Sequence, residues 1–308
     1  FSFSTTENGA IGYTTTQKPL LDMNYKVPYY RNSDGSAILD DFTAAFHSDR
    51  VLTLKWLFFA RDVRGGLGER RLFRTIIKWV ANTHPEYVSP LISLIPEYGR
   101  WDDLLCLIHT KCKHAALKEI IEQFHMDVQH AKQEKPISLL GKWLPSENAS
   151  SKETKSLAYD IMRAMDISPR MYRKYLSLLR KQIGIVETNM SSNRWDKIKY
   201  ESVPSKAGLI YKDAFNRHDE ERYMEYLQDV KGGKTAIHSG ALYPHEIVHK
   251  YMDGRGYWGS QVKNIDDTLE EMWKALPDMV QGESSTIVVK DGSDSMLKQV
   301  SANTTAME

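Results

Sequence analysis

Apolar residues recur along this chain with the spacing of buried helix faces. Leu72, Phe73, Ile76, Ile77 and Val80 line one stripe of a 3.6-residue helix. Leu117, Ile120, Ile121, Phe124 and Val128 repeat the pattern, and Leu52, Trp56 and Phe59 share a face. Met171, Tyr175, Leu178 and Leu179 form another stripe, followed by Ile265, Leu269, Met272, Trp273 and Leu276. Ser168-Pro169, His84-Pro85-Glu86 and Tyr243-Pro244-His245-Glu246 place Pro where a first helical turn has no amide bond to lose. Gly65-Gly66-Leu67-Gly68 and Gly232-Gly233 punctuate the pattern. The spacing predicts a mainly α body from residue 51 to 276, with short helices paired and stacked as a HEAT-like α-solenoid. No fixed repeat period is evident, so such repeats are degenerate. The first forty residues, rich in Thr, Asn, Gly and Tyr, predict irregular or strand-like structure, and Leu144 to Glu153 predicts a surface loop. The pattern changes near the end, where the β-branched run Thr286 to Val289 predicts a buried strand.

Composition narrows the class. A hydrophobic share of 41% and a charged share of 26% are those of an ordinary globular protein. No apolar run approaches the roughly 18 residues of a membrane span, and Phe1-Ser2-Phe3-Ser4-Thr5-Thr6 lacks the features of a signal peptide. Only Cys106 and Cys112 are present, which argues against a disulfide scaffold and leads to the expectation of a reducing, cytoplasmic setting. The opening on Phe1 and the stop at Glu308 lead to the expectation of a fragment.

The net charge of +1 hides an uneven distribution. From Arg163 to Arg217 twelve Lys or Arg stand against five Asp or Glu, and from Lys55 to Lys78 seven stand against two. Tyr172, Tyr175, Trp195 and Tyr200 are interleaved with the first set. Basic side chains neutralise phosphates and aromatic faces stack unpaired bases. Solvated helix faces with aromatics turned inward give the same pattern, and Tyr175 fits the core. Arg170, Arg173, Lys174, Arg180 and Lys181 cluster at helical spacing and are the candidate phosphate contacts.

Three patterns hold metal-ligating residue types. His245-Glu246-Ile247-Val248-His249 has the H-E-x-x-H spacing that lets two imidazoles share a Zn2+ beside a general base, with Glu270 or Glu271 as a third ligand. Pro244 puts His245 in a first turn, where Glu246 also fits a plain helix start. Cys106, His109, Cys112 and His114 match no closed zinc knuckle, and Cys106 lies in an apolar run. Asp291, Ser293 and Ser295 follow the strand at 286–289, and their oxygens suit a hard divalent cation.

The Asp291-Gly292-Ser293-Asp294-Ser295 string resembles the metal-ion-dependent adhesion motif of von Willebrand factor A domains, an α/β Rossmann-like fold. The resemblance implies Mg2+ or Mn2+ in a complete domain, with a later Thr and Asp absent here and little or no metal held by this fragment. Asp294 departs from the small residue usual there, and Lys290 is also unusual. Arg61-Asp62-Val63-Arg64-Gly65-Gly66-Leu67-Gly68-Glu69-Arg70-Arg71 and Tyr98-Gly99-Arg100-Trp101-Asp102-Asp103-Leu104 carry a second resemblance. It continues through Leu179-Arg180-Lys181, Trp195-Asp196-Lys197-Ile198, Val203-Pro204-Ser205-Lys206-Ala207 and Gly240-Ala241-Leu242-Tyr243-Pro244-His245-Glu246-Ile247-Val248. These strings resemble the TROVE module of Ro-type RNA-binding proteins, and more closely an uncharacterised bacterial, phage and plant family related to it. The resemblance implies a helical-repeat ring over residues 1–282, a truncated A domain over 283–308, and a non-catalytic scaffold. It would bind structured RNA or single-stranded RNA ends. The alternatives are a protein-interaction scaffold with a metal-dependent A domain and, remotely, a zinc peptidase using His245, Glu246 and His249. The Arg100-Trp101-Asp102-Asp103 set reads as a structural helix start.

Overall fold

The computed structural model describes residues 3–5, 9–31, 33, 35–251, 265–278, 299–301 and 304–305. It is mainly helical, and its contacts divide it into two units, Phe1–Gly184 and Ile185–Glu308.

The first unit opens with an antiparallel pair, β1 (Phe3–Thr5) and β2 (Ile11–Tyr13), in which Phe3 lies opposite Tyr13. The strand-like reading of the first forty residues holds only for this pair. Helices α1 (Pro19–Tyr25), α2 (Val27–Tyr30) and α3 (Gly35–Ser48) follow, because Met23, Val27, Tyr30, Ile38, Phe42, Ala45 and Phe46 form apolar faces that are buried. Next come α4 (Arg50–Arg61), α5 (Arg70–Thr83), α6 (Pro85–Val88), α7 (Ile95–Tyr98) and α8 (Trp101–Leu104). The unit closes with α9 (Lys113–Lys132), α10 (Leu140–Trp143), α11 (Lys152–Met165) and α12 (Pro169–Ile183).

One continuous core runs from Met23 to Leu179. Helices α3, α4 and α5 pack on one another, and α9 packs on α10, α11 and α12. The stripe from Leu72 to Val80 is buried throughout, as its spacing predicts. On α4 the expected face does not hold. Trp56 is buried, but Leu52 and Phe59 are 52% and 43% exposed. Neighbours on several sides bury Leu54, Leu57, Phe58 and Ala60 instead, so apolar residues are left on the face that remains. On α12 the stripe lies one residue later than predicted, on Tyr172, Leu176 and Leu179, with Met171 outside. Both registers are apolar, and packing against α9 and α10 selects between them. Helix α12 starts where Ser168 Oγ accepts from Met171 N at 3.3 Å and ends at Gly184, whose φ of 67° is the left-handed cap.

The second unit contains α13 (Val186–Ser191), α14 (Ser205–His218), α15 (Glu220–Lys231), α16 (Pro244–Tyr251) and α17 (Asp267–Lys274). Its core gathers Tyr200, Phe215, Tyr223, Leu227, Ile247, Leu269 and Met272. Arg222 braces the turn before α14 by donating to Trp195 O and Ile198 O, each at 2.8 Å. The short strands β3 (Gln299–Ser301) and β4 (Thr304–Thr305) pair antiparallel. The expected strand at 286–289 lies outside the described residues, as does most of the 283–308 segment assigned to an A domain.

Candidate nucleic-acid interface

Helix α12 carries five cations and no carboxylate across its 15 residues. Arg170 lies in its first turn, where the helix dipole disfavours positive charge by about 0.3–1 kcal/mol. Arg170, Lys174 and Lys181 are exposed, and among the described residues none of the three side chains has a hydrogen-bond or ion-pair partner. Arg173 is partly committed, because Nη1 lies 2.5 Å from the buried Glu147 carboxylate.

Arg180 is a correction to the candidate set. It lies four and eight residues after Leu176 and Tyr172, and so on the inward ridge of the helix. Its Nε donates to Gly141 O at 3.0 Å, Nη1 to Ser146 Oγ at 3.0 Å and Nη2 to Leu144 O at 2.9 Å. It is a bracket for the segment after α10, with one donor of each guanidinium nitrogen committed to that segment. That segment is not a plain surface loop: Leu144, Pro145 and Glu147 are buried, and Tyr172 Oη donates to Pro145 O at 2.9 Å. Burial pushes the Tyr172 phenol above its ordinary pKa.

Packing extends the basic face with residues distant in sequence. Lys132 Nζ lies 5.9 Å from the Tyr175 ring centroid, and Gln182 donates to Lys135 O at 3.4 Å. Lys132 and Lys135 are exposed, with Glu134 between them. Nothing local in the sequence joins these lysines to α12. Tyr175 is half-buried and edge-on to Phe124 at 5.9 Å, which matches its core reading.

The strings that carried the resemblance build a buried ionic centre. Asp103 is fully buried and accepts from Arg61 Nε at 2.8 Å, Arg74 Nε at 2.5 Å and Arg100 N at 2.9 Å. Asp102 pairs with Arg70 at 2.7 Å, Arg74 at 2.9 Å and Arg100 at 3.1 Å. Arg100 also lies over the Trp143 ring, 4.0 Å from its centroid. A Cβ on Gly99 would sit 2.6 Å from Asp103 Oδ2, and one on Gly66 would sit 1.8 Å from Phe59 O. These glycines therefore permit close approach, and the helix-start reading of residues 100–103 is what the geometry displays.

No group of three His, Cys, Asp or Glu among the described residues is placed to hold a metal. Cys106 Sγ donates to Asp103 O at 2.9 Å, and burial pushes its thiol up to about 12. Cys112 is buried with its Sγ donating to Pro85 O at 3.7 Å, while His109 and His114 are exposed. In α16, the Glu246 carboxylate accepts from Tyr243 N at 3.1 Å and pairs with Lys206, so it serves the helix start. His245 stacks on Tyr243 at 5.6 Å. Glu270 accepts from Tyr251 Oη and Glu271 from Lys274, so neither is turned toward the two histidines. Asp291, Ser293 and Ser295 lie outside the described residues.

One relative is a protein of Acanthamoeba polyphaga mimivirus, "Uncharacterized protein L728", 28% identical over 311 residues. The match covers 89% of this chain and 52% of the relative, so the chain spans about half the length of the curated relative it matches. No solved structure matches. A family model described as "Domain of unknown function (DUF2828)" matches residues 6–127 and 149–286, most of the chain, and the protein belongs to that family.

Proposed function

We propose that this protein is a non-catalytic RNA-binding scaffold whose basic helix faces grip phosphates. The observation that carries the reading is α12, five cations without a carboxylate, three of them exposed and unpaired among the described residues. Kinship with Ro-type TROVE proteins, a HEAT-like stacking of the helices and a cytoplasmic setting belong to the same proposal. So does an A-type domain that uses Asp291, Ser293 and Ser295 with Mg2+ or Mn2+, and a partner, when complete. The test is fluorescence anisotropy of an RNA hairpin with a single-stranded 3′ end beside a blunt duplex. Preferential binding of the tailed RNA, weakening as salt rises, supports the proposal. No binding at low salt overturns it.

A second reading, a protein-interaction scaffold, is favoured by the exposed apolar face of α4. Val51, Leu52 and Phe59 are 65%, 52% and 43% exposed there. It predicts indifference to RNA and a partner lost on Phe59→Ser.

A further inference from the structure

The outward face of α5 is as biased as that of α12, and the ionic centre beneath it does not neutralise it. Helix α5 carries Arg70, Arg71, Arg74 and Lys78 and no carboxylate. With Thr75, these residues line a shallow concavity of about 600 Å3, and the described lining holds no acidic side chain. Arg70 and Arg71 occupy the first turn, against the helix dipole. Asp102 and Asp103 are shared among four arginines, Arg61, Arg70, Arg74 and Arg100. Among the described residues Arg71 donates to the backbone carbonyls of Tyr30 and Ser33 and pairs with no carboxylate. Lys78 is exposed and has no side-chain partner among the described residues. Arg74 Nη2 is buried and lies 2.9 Å from the Asp102 carboxylate, so it belongs to the ionic centre that anchors this side chain. The concavity is therefore an anchored cationic floor with surplus charge and a hydroxyl donor.

We infer that this face holds phosphate groups in series, the chemistry shared by a polyphosphate chain end and a nucleic-acid strand. From Arg70 to Lys78 the face runs about 12 Å along the helix axis, longer than a single phosphate needs. The ion pairs with Asp102 fix Arg70 and Arg74 before any ligand arrives, so little side-chain entropy is lost on binding. Guanidinium forks match phosphate oxygens in geometry, and Lys78 adds a mobile charge at the far end. The inference rests on the RNA reading only for the identity of the strand.

The test is calorimetric titration of the whole chain with inorganic tripolyphosphate, with sulfate as the simple-anion control. Tripolyphosphate binding should exceed sulfate binding and weaken about tenfold in Lys78→Gln, which removes one charge-assisted contact. Lys78 has no side-chain partner among the described residues, so that variant keeps its fold. Lys118→Gln, an exposed charge on α9 outside both basic helices, should leave tripolyphosphate binding unchanged. Oligoribonucleotides with a 5′-triphosphate and a 5′-hydroxyl separate the sources: preference for the former assigns a chain end, and equal binding with competition by tripolyphosphate assigns the strand backbone. Tripolyphosphate binding without RNA binding keeps this site and removes the RNA reading. RNA binding insensitive to Lys78→Gln, with tripolyphosphate no better than sulfate, overturns the inference and leaves α12 standing.

Discussion

Arg180 and Asp103 show how a charged residue can belong to the architecture. Arg180→Gln removes a guanidinium that serves Gly141 O, Leu144 O and Ser146 Oγ. The buried carbonyls lose their donors, so a loss of about 2–4 kcal/mol is expected in chemical denaturation. RNA affinity of the folded variant should not change, whereas a specific loss of affinity would return Arg180 to the interface. Asp103→Asn leaves Arg61, whose side chain is 3% exposed, without its counter-charge. Removing one partner of such a pair costs about 3–5 kcal/mol, and a loss below about 1 kcal/mol would contradict the buried centre. Cys106 tests burial without mutation. Its thiol rises from 9.0 to about 12 chiefly by desolvation, with Arg74 opposing. At pH 8 its thiolate population lies well below that of the unfolded chain, so it should resist a thiol reagent until denaturant is added. The sign for stability follows: the folded state keeps the proton that the unfolded state loses. This contribution is full below pH 9.0 and is lost as pH climbs toward about 12.

Helices show what periodicity can and cannot carry. The α5 stripe was legible because Leu72, Phe73, Ile76, Ile77 and Val80 stand against charged residues on the other side. The α4 and α12 faces were misplaced because apolar residues there occupy more than one register, and only the neighbouring helices decide which is buried. Of the candidate site, Arg170, Arg173, Lys174 and Lys181 were legible as a cluster and are exposed. Arg180 was not separable from them, because its acceptors lie 34 to 39 residues away in sequence. Lys132 and Lys135 were invisible for the same reason. Glycine motifs gave order without meaning until the close approaches were seen. Gly141→Ala would put a Cβ 2.6 Å from Leu179 Cβ, between α10 and α12. The two helices must then part, and a loss of about 1–3 kcal/mol is expected in thermal or chemical unfolding. An unchanged midpoint would mean that this contact is loose.

At the scale of the whole molecule, two units with separate cores divide near Gly184. Both basic helices, α5 and α12, belong to the first unit, where Arg70, Arg74, Arg173 and Arg180 serve the structure while Lys78, Arg170, Lys174 and Lys181 have no side-chain partner among the described residues. The net charge of +1 makes non-specific attraction by the molecule as a whole a weak explanation for RNA binding. Any binding must come from local faces, and this has a quantitative signature. Whether α12 holds RNA is decided by the salt dependence of binding to a tailed RNA, for the native chain and for Arg170→Gln/Lys174→Gln/Lys181→Gln. Each phosphate contact on a single strand contributes about 0.7 to the slope of log affinity against log salt. If α12 holds RNA, the variant binds more weakly, with a slope shallower by about 2. Equal affinities and equal slopes, in a variant with native stability, would contradict it.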